Sequence, residues 1–331
     1  MSTKHKVIFD TDPGVDDAMA LYFAIAHPDI ELLGITTTFG NVTVEQATIN
    51  ALYLTRIAGR ETPVAQGVSV PMSKAPGQPP GFIHGDDGLG NLPERVAVPG
   101  QAEDCSAAEY IVKMARAFPG EISLVAVAPM GNLAMALKLE PNLPKLLKQV
   151  VIMGGTVSEP GNVSPVAEAN IWNDPEAGDK VFTAGWDLTM VGLDVTHRVV
   201  LPYDFFVRLA QHQKHRATDT LQHAVHFYSD FYSGIRPEIG YGCFGHDVLA
   251  FVWLVAPELF KTQSGRVRVA VEGIANGQTM MDKLDSIFYP QPGWGEEVPH
   301  TRVCIEVDTA ACLQLIDSTL NSDWLKPVLS N

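Results

Sequence analysis

The feature that most constrains the fold of this chain is the alternation of short apolar runs with segments of helical period. Residues 7–9, 32–39, 122–128, 149–153 and 188–193 are rich in β-branched and apolar side chains. Runs of that kind suit strands covered on both faces, which is the condition of a parallel sheet. Between the second and third runs Val44, Ala47, Ala51, Leu54 and Ala58 recur at helical spacing, as an amphipathic crossover helix requires. The expected fold class is therefore α/β: an open, mainly parallel central sheet flanked by helices. From about Leu201 the pattern turns helical through residues 205–234, so the C-terminal part is expected to be more helical, before the strand-like "GRVRVAVEGI" and "TRVCIEVD". No repeat, low-complexity tract or linker divides the chain. With 46% hydrophobic residues, residues 1–331 can bury one large core and are read as a single domain.

The first strand-like run leads into "DTDPGVDD", which places Asp10, Asp12, Asp16 and Asp17 within eight residues. Like charges so close repel and raise one another's pKa, so the cluster needs a cation, a shared proton or firm hydrogen bonding. "KVIF", then this segment, then "AMALYFAIA" reads as strand, turn and helix. That puts the aspartates at a strand's carboxyl end, the ligand-binding edge of open α/β sheets, with Pro13 and Gly14 forming the bend. Helix capping accounts for one or two of the four. A hard cation with oxygen ligands accounts for the set, with Asp12 and Asp17 as ligands and Asp16 left for chemistry. Asn41, closing the second run in "TTTFGN", and Asp247, in "GHDVLAFVWL", are placed to complete such a site, although Asp247 alone would read as a helix cap.

These segments together resemble the inosine-uridine type of nucleoside hydrolase. The carriers are "DTDPGVDDAMAL", "GITTTFGNVT", "HGDDGLG", "APMGNLAMAL", "VIMGGTVSEPGNVSPVAEANIWNDPEA" and "GHDVLAF", in that order along the chain. The resemblance implies a tightly bound Ca²⁺ at the strand ends and hydrolysis of the N-glycosidic bond of ribonucleosides to free base and ribose. It also implies carboxylate ligands from Asp12, Asp17 and Asp247, a backbone carbonyl near Gly131, and Asn41 on the ribose or supporting the metal shell. One departure from the family pattern bears on the pocket: Ala169 in "AEAN" stands where many members carry an aromatic, which puts base preference in question.

Cleavage of a nucleoside passes through an oxocarbenium-like sugar and needs an activated water, a held sugar and a proton for the leaving base. Calcium acidifies bound water less than zinc, so a carboxylate must still take the proton; Asp16 is assigned as general base. Asn162, Glu168 and Asn170 would hold the ribose hydroxyls, with Met153 counted in the substrate-binding set, and His246 would protonate the base or relay a proton to it. His84, inside the Pro- and Gly-rich stretch of residues 73–94 that reads as a lid, is a pocket candidate. Tyr228 and Tyr232, one helical turn apart, could stack on or hydrogen-bond a base.

The net charge of −15 argues against nucleic acid as a partner, leaving a small-molecule ribonucleoside. No apolar run approaches the ~20 residues of a membrane span, and the N-terminus has no apolar leader. The four scattered cysteines suit reduced thiols, so a cytoplasmic protein is expected, as a homodimer or homotetramer. The HxxH pairs His212/His215 and His223/His226 lack a third zinc ligand. An Mg²⁺-dependent phosphotransferase of the DxD kind would want a cationic or glycine-amide phosphate cradle, which is missing. A Ca²⁺-dependent ribose-binding protein without turnover would have no need of Asp16 and His246.

Overall fold

The computed structural model describes residues 4–284 and 289–329. Its strands are β1 (His5–Thr11), β2 (Ile30–Thr37), β3 (Val64–Gln66), β4 (Ile122–Ala126), β5 (Gln149–Met153), β6 (Leu188–Val191), β7 (Val200–Pro202), β8 (Gly242–Phe244), β9 (Phe260–Val269), β10 (Thr279–Asp282) and β11 (His300–Val307). Nine of them form one sheet in the order β10-β9-β11-β6-β5-β4-β1-β2-β3. Every pairing from β3 across to β11 is parallel, and β9 runs against both of its neighbours. β7 and β8 pair separately as a small antiparallel ribbon.

Alternation along β1 divides the core. Val7 and Phe9 face one apolar cluster, in which the helices Val15–Ala26, Arg216–Ile235 and Val248–Val255 pack. Ile8 faces the other, together with the helices Ala107–Ala117 and Pro175–Phe182. β4 is buried along its whole length, as expected of a strand covered on both sides.

The chain runs outward from β1 to β2 and β3, then returns to the other side of β1 and proceeds through β4, β5 and β6. The order of strands thus reverses between β1 and β4, and a crevice opens at the carboxyl ends of such a pair. The acidic segment begins there. β3, with three residues, and the β7–β8 ribbon are too short to show a period in the sequence, and the stretch 73–94 contains one short helix, Gly81–His84, that was not expected. Among the described residues no helix is long and apolar enough to cross a membrane.

Candidate active site

Asp12 follows β1 directly, and Pro13-Gly14 turn the chain into Val15–Ala26, whose first turn carries Asp16 and Asp17. All four aspartates of the segment are buried. Asp10 points back into the fold: its Oδ1 accepts from Thr36 Oγ1 and from Asn132 Nδ2 at 2.8 Å. Asp17 accepts from Thr11 Oγ1, from the Gly14 N–H at 2.9 Å and from Asn41 Nδ2 at 3.0 Å. Asp12 accepts the Asn41 N–H at 2.6 Å, so the turn after β2 lies beside the turn after β1, as the parallel pairing of those strands dictates. Asp247 occupies the N-cap position of Val248–Val255, yet its side chain makes no capping bond and is free for the crevice.

Oxygen atoms of Asp16, Asp17 and Asp247 lie within 4.8 Å of one another, with Asp12 held next to them by Asn41. Burial first, then the adjoining carboxylates, pushes Asp12 and Asp247 well above the usual carboxylate range. The same causes push Asp16 up to about 8. Burial also raises Asp17, against the hydrogen bonds it accepts. Asp16 Oδ1 has no hydrogen-bond partner. A buried donor set made only of oxygen, with one atom unsatisfied and no Lys or Arg paired to it among the described residues, fits a hard dication.

Above this floor is a cavity of about 570 Å³. One wall comes from Arg216–Ile235 and the chain after β8. There Tyr228 donates to Asp16 Oδ2 at 3.4 Å, the Tyr228 and Tyr232 hydroxyls are 3.3 Å apart, and the Tyr232 hydroxyl is 3.1 Å from His246 Nε2. Burial holds His246 well below the usual histidine range, helped by His197 and His84, which favours the neutral ring. His84 is at this wall too: it stacks on Tyr228 at 5.2 Å, its Nδ1 accepts the Val15 N–H at 3.2 Å, and burial lowers its pKa to about 3.

The segment 161–173 also lines the cavity, and its Ile171 packs in the apolar cluster on the other face of the sheet. Glu168 caps the helix Ala169–Asn173 and accepts from the Gly155, Asn170 and Ile171 N–H groups, so much of its capacity serves the backbone. Asn170 spends its NH₂ group on the carbonyls of Val127 (2.9 Å) and Met153 (3.2 Å), which leaves Oδ1 for a ligand. Asn162 Oδ1 accepts from the Ala169 N–H, which leaves its NH₂ group.

The cavity thus gathers Asp16, Asn41, His84, Met153, Asn162, Glu168, Asn170, Tyr228, Tyr232, His246 and Asp247. Gly131 lies outside it, at the start of a helix, facing Val68 and Asp174. Val127, the first residue beyond β4, lines the cavity, and its carbonyl accepts from Asn170 Nδ2. Sequence reasoning also passed over His197 and Arg236, which line the cavity; "GLDVTH" and "GIRPE" carry no spacing that announces them. Three of the four HxxH histidines are engaged elsewhere: His215 with Ala217 and Lys326, His223 with Gly90, His226 beside Asp230. Neither pair gathers a third metal-ligating side chain among the described residues.

The family model described as inosine-uridine preferring nucleoside hydrolase matches residues 7–314. A protein named probable uridine nucleosidase 1, from Oryza sativa subsp. japonica, is 41% identical over 281 residues, covering 85% of this chain and 86% of its own. Among solved structures, a plant nucleoside hydrolase superposes with a TM-score of 0.88 at 35% identity, covering 96% of this chain and 99% of that one. A purine-preferring ribonucleoside hydrolase from Gardnerella vaginalis gives the same TM-score and identity, covering 96% and 98%.

Proposed function

We propose that this chain, which belongs to the inosine-uridine preferring nucleoside hydrolase family, is a Ca²⁺-dependent enzyme that splits ribonucleosides into free base and ribose. The observation that carries the reading is the convergence on one cavity of an unsatisfied carboxylate, Asp16, and a hydrogen-bonded chain of Tyr228, Tyr232 and His246. Asp12, Asp17 and Asp247 would hold the cation, with the Val127 carbonyl rather than Gly131 at the strand end. Bound there, Ca²⁺ supplies a fixed positive charge that binds the ribose diol and acidifies water.

Asp16 takes a proton from the attacking water as the water oxygen bonds to C1′ and the bond from C1′ to the base nitrogen breaks. Both electrons of that bond leave with the base, which takes a proton from the wall of Tyr228, Tyr232 and His246. Asn41, Asn162, Glu168, Asn170 and Met153 orient the sugar. His84, with Nδ1 occupied by Val15, presents its Nε2–H to the base side. A phosphotransferase is disfavoured by the lining, which offers Arg236 as its cation and no glycine-rich amide cradle.

The physiological role that follows is nucleoside salvage in the cytoplasm, by a homodimer or homotetramer whose size light scattering would give. The test of function is a panel of ribonucleosides assayed for reducing sugar with and without chelator. Release from at least one substrate, abolished by chelator and restored by calcium, is expected. No release from any ribonucleoside would overturn the reading.

A further inference from the structure

His246 is held at both ring nitrogens, and only one of its two partners belongs to the cavity wall. Nε2 meets Tyr232, while Nδ1 lies 2.8 Å from the hydroxyl of Thr196, the last residue of the short helix Leu193–Thr196. Thr196 has 0% exposure and His246 has 4%, so water cannot substitute at that bond. Among the described residues the Thr196 hydroxyl has no other partner.

We propose that Thr196 is a positioning residue that fixes which nitrogen of His246 carries the proton, a role that rests on the assignment of His246 to the leaving base. Counting protons along the chain leads there. With Asp16 ionised, as its role of general base requires, the Tyr228 hydroxyl gives its one proton to Asp16 Oδ2. Its bond to Tyr232 is then made with the Tyr232 proton, so Tyr232 has none left for His246. His246 Nε2 must donate to Tyr232, which leaves Nδ1 of the neutral ring as an acceptor. Thr196 is the one group placed to donate to it. The hydrogen bonds therefore run in a single direction, from Thr196 through His246, Tyr232 and Tyr228 to Asp16, and the Nε2–H tautomer that faces the cavity is the one selected.

A hydroxyl is suited to this end of the chain because it can donate. As the Nε2 proton passes to the leaving base, the proton that Asp16 took from water moves through Tyr228 and Tyr232 to Nε2, and Thr196 stays the donor at Nδ1. A methyl group in its place cannot donate.

The test compares Thr196→Val, which keeps the shape and removes the hydroxyl, with Thr196→Ser, which keeps the hydroxyl. Nitrogen NMR of the labelled imidazole reads the tautomer without turnover: the Nε2–H form is expected in the parent protein and in Thr196→Ser, and a mixture in Thr196→Val. In kinetics, Thr196→Val is expected to lower kcat for a nucleoside by about 10–100-fold, part of the usual general-acid contribution, with KM little changed. Turnover of a nitrophenyl riboside, whose leaving group needs no proton, should stay near that of the parent, and Thr196→Ser should recover most of the loss. A parent ring in the Nδ1–H form, equal losses on both substrates, or failure of folded Thr196→Ser to recover would overturn the proposal. If His246→Ala fails to separate the two substrates while the NMR result holds, the assignment of His246 to the leaving base is what falls.

Discussion

Gly40→Ala tests the acidic floor without touching a ligand. Gly40 has φ +157°, a conformation side chains rarely adopt, and a Cβ there would sit 1.9 Å from Asp12 Oδ2. That oxygen accepts the Asn41 N–H at 2.6 Å, so the added methyl must displace the carboxylate and break the bond. Backbone strain of this kind costs about 1–3 kcal/mol. Loss of a hydrogen bond to a charged group adds about 1.5–3 kcal/mol. Together these give a destabilisation of about 2.5–6 kcal/mol, which at about 2 °C per kcal/mol for a large chain lowers Tm by about 5–12 °C. Turnover should fall as well, and more steeply at limiting calcium, because Asp12 is pushed out of the cation's reach. The assays are thermal unfolding and kcat/KM across a calcium titration. A variant with parental Tm and parental calcium dependence would refute the placement of Asp12 against Gly40 and Asn41.

Removal of the ribose 2′-hydroxyl should lower kcat/KM by a factor on the order of 10⁴, because groups built to bind the diol are left unpaired; cleavage of a deoxynucleoside within tenfold of its ribonucleoside would contradict diol binding. His246→Ala should slow inosine or uridine by about 10²-fold or more while sparing a nitrophenyl riboside, as a general acid's loss does. Equal losses on the two substrates would mean that His246 protonates nothing.

The parts of the site visible in the sequence are those where one local segment supplies several groups. "DTDPGVDD" carries its own strand end, bend and helix start, and its crowded charge is unexplained by capping alone. Asp247 was ambiguous as a cap, and its side chain makes no capping bond. The missed groups arrive by long-range folding. Thr196 reaches His246 across 50 residues, and His197 and Arg236 follow no pattern of their own. A main-chain carbonyl has no letter in the sequence, so the backbone near Gly131 could be named only by resemblance, while the residue beyond β4 that lines the cavity is Val127. The parallel core was legible because strands covered on both faces are apolar throughout. The placement of β11 beside β6, after more than 100 intervening residues, depends on pairings that periodicity does not encode.

The central claim is that the acidic segment divides its work, with Asp12 and Asp17 holding a cation and Asp16 moving a proton. The close grouping of Asp16 with Asp17 and Asp247 makes this a sharp question, since Asp16 is also within reach of the ligand role. The deciding measurement is bound calcium per chain, together with turnover, for Asp12→Ala and Asp16→Ala purified alike. The account predicts that Asp12→Ala loses both calcium and activity, and that Asp16→Ala keeps a full equivalent of calcium while turnover drops by about 10²–10⁴-fold. Loss of calcium from Asp16→Ala, with calcium retained by Asp12→Ala, would contradict it.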